Sequence, residues 1–282
     1  MKHDLIITLI LVFLFIASHI IGLFIIKNYL PQEKSLPLGI EKPQFNEKTS
    51  YIPIAISLLL ATLLALLLIR LSALRLWKLW FFLSIFLTLT VAFTAFIQEI
   101  VAVTLALIFS ILKIFKSNVF IHNFTELFVY GGLAAIFVPV LSLWSITILL
   151  LIISVYDMIA VWKTKHMISM AKFQAKSKIF AGLFVPYTPK SEISEKITAK
   201  VKTTKKVYRE AILGGGDIAF PLLFSGVILK TYGFLPALIL SLSAAIALMI
   251  LFLIAEKKKF YPAMPFLSIG CFAGYFLIKL LF

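Results

Sequence analysis

The chain has 282 residues, 62% of them hydrophobic and 14% charged, with a mean hydropathy of +1.07. Soluble domains are nearer about 45–50% apolar, so this excess excludes a soluble globular protein and implies a polytopic membrane protein. The net charge of +15 would suggest a nucleic-acid partner in a soluble protein; here none is expected, because Lys and Arg accumulate in the cytoplasmic loops of membrane proteins.

The first apolar segment, 5–26, has 22 largely apolar residues. That is long for a signal-peptide core, and no small-residue cleavage site follows it cleanly, so it is expected to stay as a helix. His19 lies within it, as a helix-packing or interfacial residue. A span of about 20 apolar residues crosses the hydrocarbon. On that basis the chain is expected to be all-α, with nine transmembrane helices at 5–26, 51–69, 79–97, 100–115, 119–139, 141–162, 210–229, 233–255 and 262–281. Gln98-Glu99 alone divides the third from the fourth, and the fifth opens with His122, Asn123 and Glu126 in its first turns. Gly270 and Gly274 in the ninth form a small-xxx-small pattern suited to helix packing. Cys271, the single cysteine, lies in the same segment as a buried thiol, and no internal disulfide is available.

Charge sets the expected orientation. With the N-terminus on one side and nine crossings, that side carries 21 of the 27 Lys and Arg residues and the other side 6. The bias makes the first side cytoplasmic, with the N-terminus inside and the C-terminus outside. The chain then reads as one membrane domain, 1–282, in which helices one to six (1–162) and seven to nine (210–282) flank a basic cytoplasmic loop, 163–209. Twelve cations in that loop suit it to anionic lipid. Within it, 197–204 alternates apolar or β-branched with polar residues, as a short strand would. An exposed strand beside a site is able to pair with an extended peptide.

Asp157 and Asp217 are the only aspartates inside hydrophobic segments. An acid in hydrocarbon is costly and by default functional. Asp157 is six residues before Lys163, and Asp217 eight residues after Arg209. At about 1.5 Å per helical residue, they lie roughly 9 and 12 Å from the same boundary. Antiparallel neighbours would set both carboxylates at one level on the cytoplasmic side. Two carboxylates sharing a site hold a single proton between them. The ionised member takes a proton from a water that attacks a peptide carbonyl, and the protonated member donates to the carbonyl oxygen. This chemistry needs no metal and no cofactor. Gly214, Gly215 and Gly216 remove side chains where another backbone must approach, either a substrate or a closely packed neighbouring helix, and Pro221 follows as a kink or loosening of the helix.

Tyr156-Asp157 in the sixth helix, Gly214-Gly215-Gly216-Asp217 in the seventh and Pro262-Ala263-Met264 before the ninth resemble the signatures Tyr-Asp, Gly-x-Gly-Asp and Pro-Ala-Leu of the presenilin and signal-peptide-peptidase intramembrane aspartyl proteases. The resemblance spans essentially the whole chain. It implies that Asp157 and Asp217 are the catalytic dyad and that Gly214, Gly216 and the Pro262-Ala263-Met264 turn shape the site. It also implies that the substrates are single-pass transmembrane proteins. The inside N-terminus is similar to presenilin rather than to the inverted signal peptide peptidases. The compact chain looks like a microbial, archaeal-type homologue that works without obligatory partner subunits. Met264 stands where the family has leucine, a near-isosteric exchange. Gly215 occupies the variable position of Gly-x-Gly-Asp, which helps set substrate handling in the family. Prepilin peptidases share Gly-x-Gly-Asp but lack the helix-nine motif and this topology. Tyr156 would pack on the substrate, hydrogen-bond near the dyad or serve helix packing. The other readings are an ion or proton-coupled transporter using the aspartate pair, against which the missing internal repeat counts, and a scaffold whose aspartates bond across helices.

Overall fold

In hydrocarbon a backbone must satisfy its own hydrogen bonds, so apolar runs of this length fold as helices. The computed structural model describes residues 5–31, 35–116, 118–164, 180–187, 209–256 and 261–282. Among them are nine α-helices: α1 Leu5–Tyr29, α2 Tyr51–Arg70, α3 Leu74–Thr94, α4 Glu99–Phe115, α5 Val119–Phe137, α6 Leu143–Met158, α7 Gly215–Tyr232, α8 Phe234–Ile254 and α9 Met264–Leu281. Seven helical spans are long and apolar enough to cross a membrane. The other two helices are α4, with 17 residues, and α7, whose first turn holds glycine and Asp217 and whose last turn holds Lys230.

The all-helical class holds, and the start of the seventh helix needs one correction. The residues expected to open the seventh helix are extended. They form β2, Arg209–Gly214, which pairs antiparallel with β1, Gly182–Tyr187, setting Gly182 opposite Gly214 and Tyr187 opposite Arg209. Consecutive glycines are poor helix formers, each about 1 kcal/mol less favourable than alanine. What holds 209–214 out of the helix is the ladder to β1, and the helix starts at Gly215, where that pairing ends. The strand expected at 197–204 lies outside the described residues, as does most of the basic loop.

α7 is the axis of the bundle and packs on α1, α5, α6, α8 and α9. Twelve of its 18 residues are buried. A helix apolar on every face belongs in the interior. α2 is the opposite case: it leans on α6 and α3, and only Ile54, Ala65 and Leu68 are buried among its 20 residues. Between α1, α8 and α7 runs a polar thread. His19 Nδ1 lies 3.0 Å from Ser241 Oγ, which donates to Ser225 Oγ at 2.9 Å. His19 is thus fully buried within the bundle. Gly270 and Gly274 pack α9 on α8 at Ala247 and Ser243, and Ser243 Oγ donates to the Gly270 carbonyl at 2.7 Å.

The tightest approach is between α3 and α5, where a Cβ on Gly132 would lie 1.9 Å from the Thr88 carbonyl oxygen. Both partners are backbone, so neither gives way cheaply. Gly132→Ala is expected to lower stability by about 1–3 kcal/mol, the range for overpacking, read as a drop in the melting temperature of the detergent-solubilised protein. An unchanged melting temperature would contradict this approach.

Candidate active site

Asp157 sits in the last turn of α6, which passes directly into a π-helical turn, Ile159–Thr164. The first amides of a helix have no partner within it, and α9 offers its own to Asp157. The Met264 N–H donates to Asp157 Oδ2 at 3.0 Å, and the Ala263 N–H donates as well. The carboxylate therefore faces the positive end of α9. Pro262-Ala263-Met264 reaches the site through its backbone. The Met264 side chain, 3% exposed, fills the core beneath it.

Asp217 is the third residue of α7, and Gly214 is its N-cap. Its carboxylate turns back to accept from the Gly214 N–H, the reach seen in a capping box. A Cβ on Gly214 would stand 3.0 Å from Asp217 Oδ2. Gly215 faces the other way, where its Cβ would meet Tyr130 Oη at 2.8 Å. Gly215 is buried against α5 and does not line the cavity described next.

That cavity, about 320 Å³, lies between α2, α6, α7 and the start of α9. Asp157 and Asp217 both line it, with Tyr156, Gly214, Gly216, Phe220 and Met264, and Leu58, Leu59 and Thr62 close it from α2. The two aspartates are within electrostatic reach of each other. Equal helical rise on both sides is not what brings them together, since residues 209–214 are extended and advance about 3.3 Å each. Among the described residues, no group of three His, Cys, Asp or Glu is placed to hold a metal ion. The rest of the lining is mostly apolar, as in pockets that enclose a ligand and orient it with few polar groups.

A set of residues on α5 escaped the sequence reading. Asn123 holds Phe184 from both sides, its Nδ2 donating to the Phe184 carbonyl at 2.8 Å and its Oδ1 accepting from the Phe184 N–H at 3.1 Å. His122 Nε2 lies 2.8 Å from the Gly182 carbonyl oxygen. Glu126 accepts from the Gly182 N–H at 3.1 Å, and also from Lys113 and from the Tyr130 hydroxyl. The available signal was the spacing of His122, Glu126 and Tyr130, four residues apart on one helix face.

The geometry separates stability from chemistry at Gly214. The neighbour that an added methyl would displace is the Asp217 carboxylate itself. Gly214→Ala is expected to leave the melting temperature nearly unchanged and to cut peptide cleavage by about 10²-fold, the scale of a misplacement near 1 Å. A stable variant that cleaves normally would overturn this reading of Gly214.

The family described as signal-peptide peptidase, presenilin aspartyl protease matches residues 11–282. No curated protein matches the chain by sequence. Among solved structures, a presenilin family intramembrane aspartate protease in a C222 crystal form superposes with a TM-score of 0.66 at 17% identity, covering 98% of this chain and 99% of that one. A structure of a presenilin family intramembrane aspartate protease in a P2 form gives 0.63 at 17% identity, with 96% and 97% covered. These likenesses establish the fold, and the seven apolar spans agree with it. The chain is a multi-pass integral membrane protein and belongs to the signal-peptide-peptidase and presenilin family of intramembrane aspartyl proteases.

Proposed function

We propose that the protein is an intramembrane endopeptidase that cleaves transmembrane helices of single-pass membrane proteins with Asp157 and Asp217 as a dyad. The observation that carries the reading is that both carboxylates line one cavity, each gripped by backbone N–H groups at the start of a different helix. The pair shares one proton. Its ionised member takes a proton from water as the water attacks the scissile carbonyl. Its protonated member donates to the carbonyl oxygen, giving a gem-diol that collapses with protonation of the leaving amine. In the proposed orientation the N-terminus is cytoplasmic, the cavity draws water from that side, the basic loop rests on anionic lipid, and no partner subunit is required.

The hairpin supports a way to hold the substrate. Asn123 occupies the N–H and carbonyl of Phe184 on the side of β1 away from β2. Phe184 is paired with Ile212, so this is a non-hydrogen-bonded pair, and the N–H and carbonyl of Ile212 point outward from the far edge of β2. That edge leads straight into Gly214 and Asp217. An unwound segment of substrate adds there as a strand, with main-chain bonds for affinity and a scissile bond carried toward the dyad.

Cleavage of a model transmembrane substrate by purified protein in liposomes tests both parts. Asp157→Asn and Asp217→Asn are each expected to lower the rate by about 10²–10⁴-fold, the contribution typical of general acid–base groups. Retained activity in either single variant rules out the dyad. Ile212→Pro removes an outward donor, a change that edge strands tolerate. It is expected to raise KM with little change in melting temperature, and an unchanged KM rules out pairing at this edge.

A further inference from the structure

A membrane protein gains little stability from a buried ion pair, because apolar residues of similar volume often do as well or better. Lys113 on α4 and Glu126 on α5 nevertheless form one with side chains 2% and 1% exposed. The position of the pair points to a task beyond packing. Glu126 joins three structures. It accepts from Lys113 on α4, from the Tyr130 hydroxyl one turn along α5, and from the Gly182 N–H at the start of β1. Gly182 is also approached through its carbonyl by His122 Nε2 at 2.8 Å. The other end of the relay is Tyr130 Oη, which occupies the place a side chain on Gly215 would take, 2.8 Å from its Cβ position. On the same corner the Gly215 N–H donates to the Ala181 carbonyl at 3.2 Å. The turn from β2 into α7 is thus clamped by α5 on one face and by residues 181–182 on the other, two residues before Asp217.

We propose that Lys113, Glu126 and Tyr130 form a positioning relay that sets Asp217 for cleavage by fixing the strand-to-helix corner at Gly214-Gly215. The proposal rests on the dyad reading above. None of the three residues lines the cavity, so none is expected to touch substrate. The charge on Glu126 makes its bonds to Tyr130 and Gly182 stronger than a neutral acceptor would. Lys113 compensates that charge from a different helix; α5 itself carries no Lys or Arg, and its His122, one turn before Glu126, is engaged with the Gly182 carbonyl.

The test uses the full chain in liposomes and a transmembrane model substrate. Lys113→Met combined with Glu126→Leu removes the pair without stranding a charge. It is expected to lower kcat by about 10–100-fold, the scale of a mispositioned group, with KM within a factor of about three of the original. Lys113→Met with Glu126→Gln keeps an acceptor for Tyr130 and Gly182 and is expected to recover part of that loss, which a purely volumetric role would not predict. Tyr130→Phe removes a single hydroxyl and is expected to lower kcat at unchanged KM. It decides the matter if the Leu variant does not fold. Backbone amide exchange over 211–217 is expected to quicken in the Leu and Phe variants, as local opening becomes easier. Unchanged kcat and exchange in the folded Leu variant, or in Tyr130→Phe if the former does not fold, overturns the relay. If the original protein cleaves nothing, the protease reading fails, and exchange alone then decides whether the corner is held as proposed.

Discussion

A carboxyl group in a low-dielectric interior is costly unless fixed hydrogen-bond partners meet it. In this bundle the donors are backbone amides at helix starts. Asp157 belongs to α6 but is satisfied by the first amides of α9. Asp217 belongs to α7 and is satisfied by the N-cap of its own helix. Both solutions use groups that a helix start leaves without partners in any case. This constraint explains why the motif around residues 262–264 sits at a helix start and why α7 begins where it does. A helix beginning five residues earlier would carry the Gly214 amide into its own ladder, away from Asp217.

Packing around the site is uneven, and the unevenness suits a chamber that must be both rigid and accessible. α7 is surrounded by five helices, and Leu222 closes against Gly22 on α1. The α7 wall of the cavity therefore stands on a helix packed from several sides. The wall supplied by α2 has the fewest buried residues of any long helix described. Elements with few buried apolar contacts open at the lowest free energy.

The hairpin brings sheet logic into a helical protein. Unpaired strand edges are avoided in lipid because their polar groups have no water. β1 has its outer edge satisfied by side chains of α5, which substitute for a neighbouring strand at Gly182 and Phe184. Pro186 has no N–H to offer on that same edge. β2 ends at Gly214, which lines the cavity, and its opposite edge faces away from β1. A polar stripe on one helix thus both finishes a sheet and braces the corner that bears Asp217.

Much of this was legible in the chain itself. Hydrophobic runs of membrane-spanning length dictate helices, because lipid leaves the backbone no alternative. Two aspartates inside such runs mark the site, because their burial costs too much to be incidental. Tyr156-Asp157, Gly214–Asp217 and Pro262-Ala263-Met264 carry the family likeness. Other features needed the tertiary structure. Residues 209–214, Arg-Glu-Ala-Ile-Leu-Gly, hold one β-branched side chain and by local propensity read as the start of a helix; only pairing with 182–187 decides for the strand. Gly215 suits a substrate or a packed helix equally by sequence, and its packing role depends on where α5 puts Tyr130. Nothing in the spacing of Lys113 from Glu126 reveals that a turn between two helices folds the pair together. Local sequence determines what each segment is able to form and which groups are too costly to bury alone. The partners that relieve that cost lie on distant segments, and only their packing in space decides which ones they are.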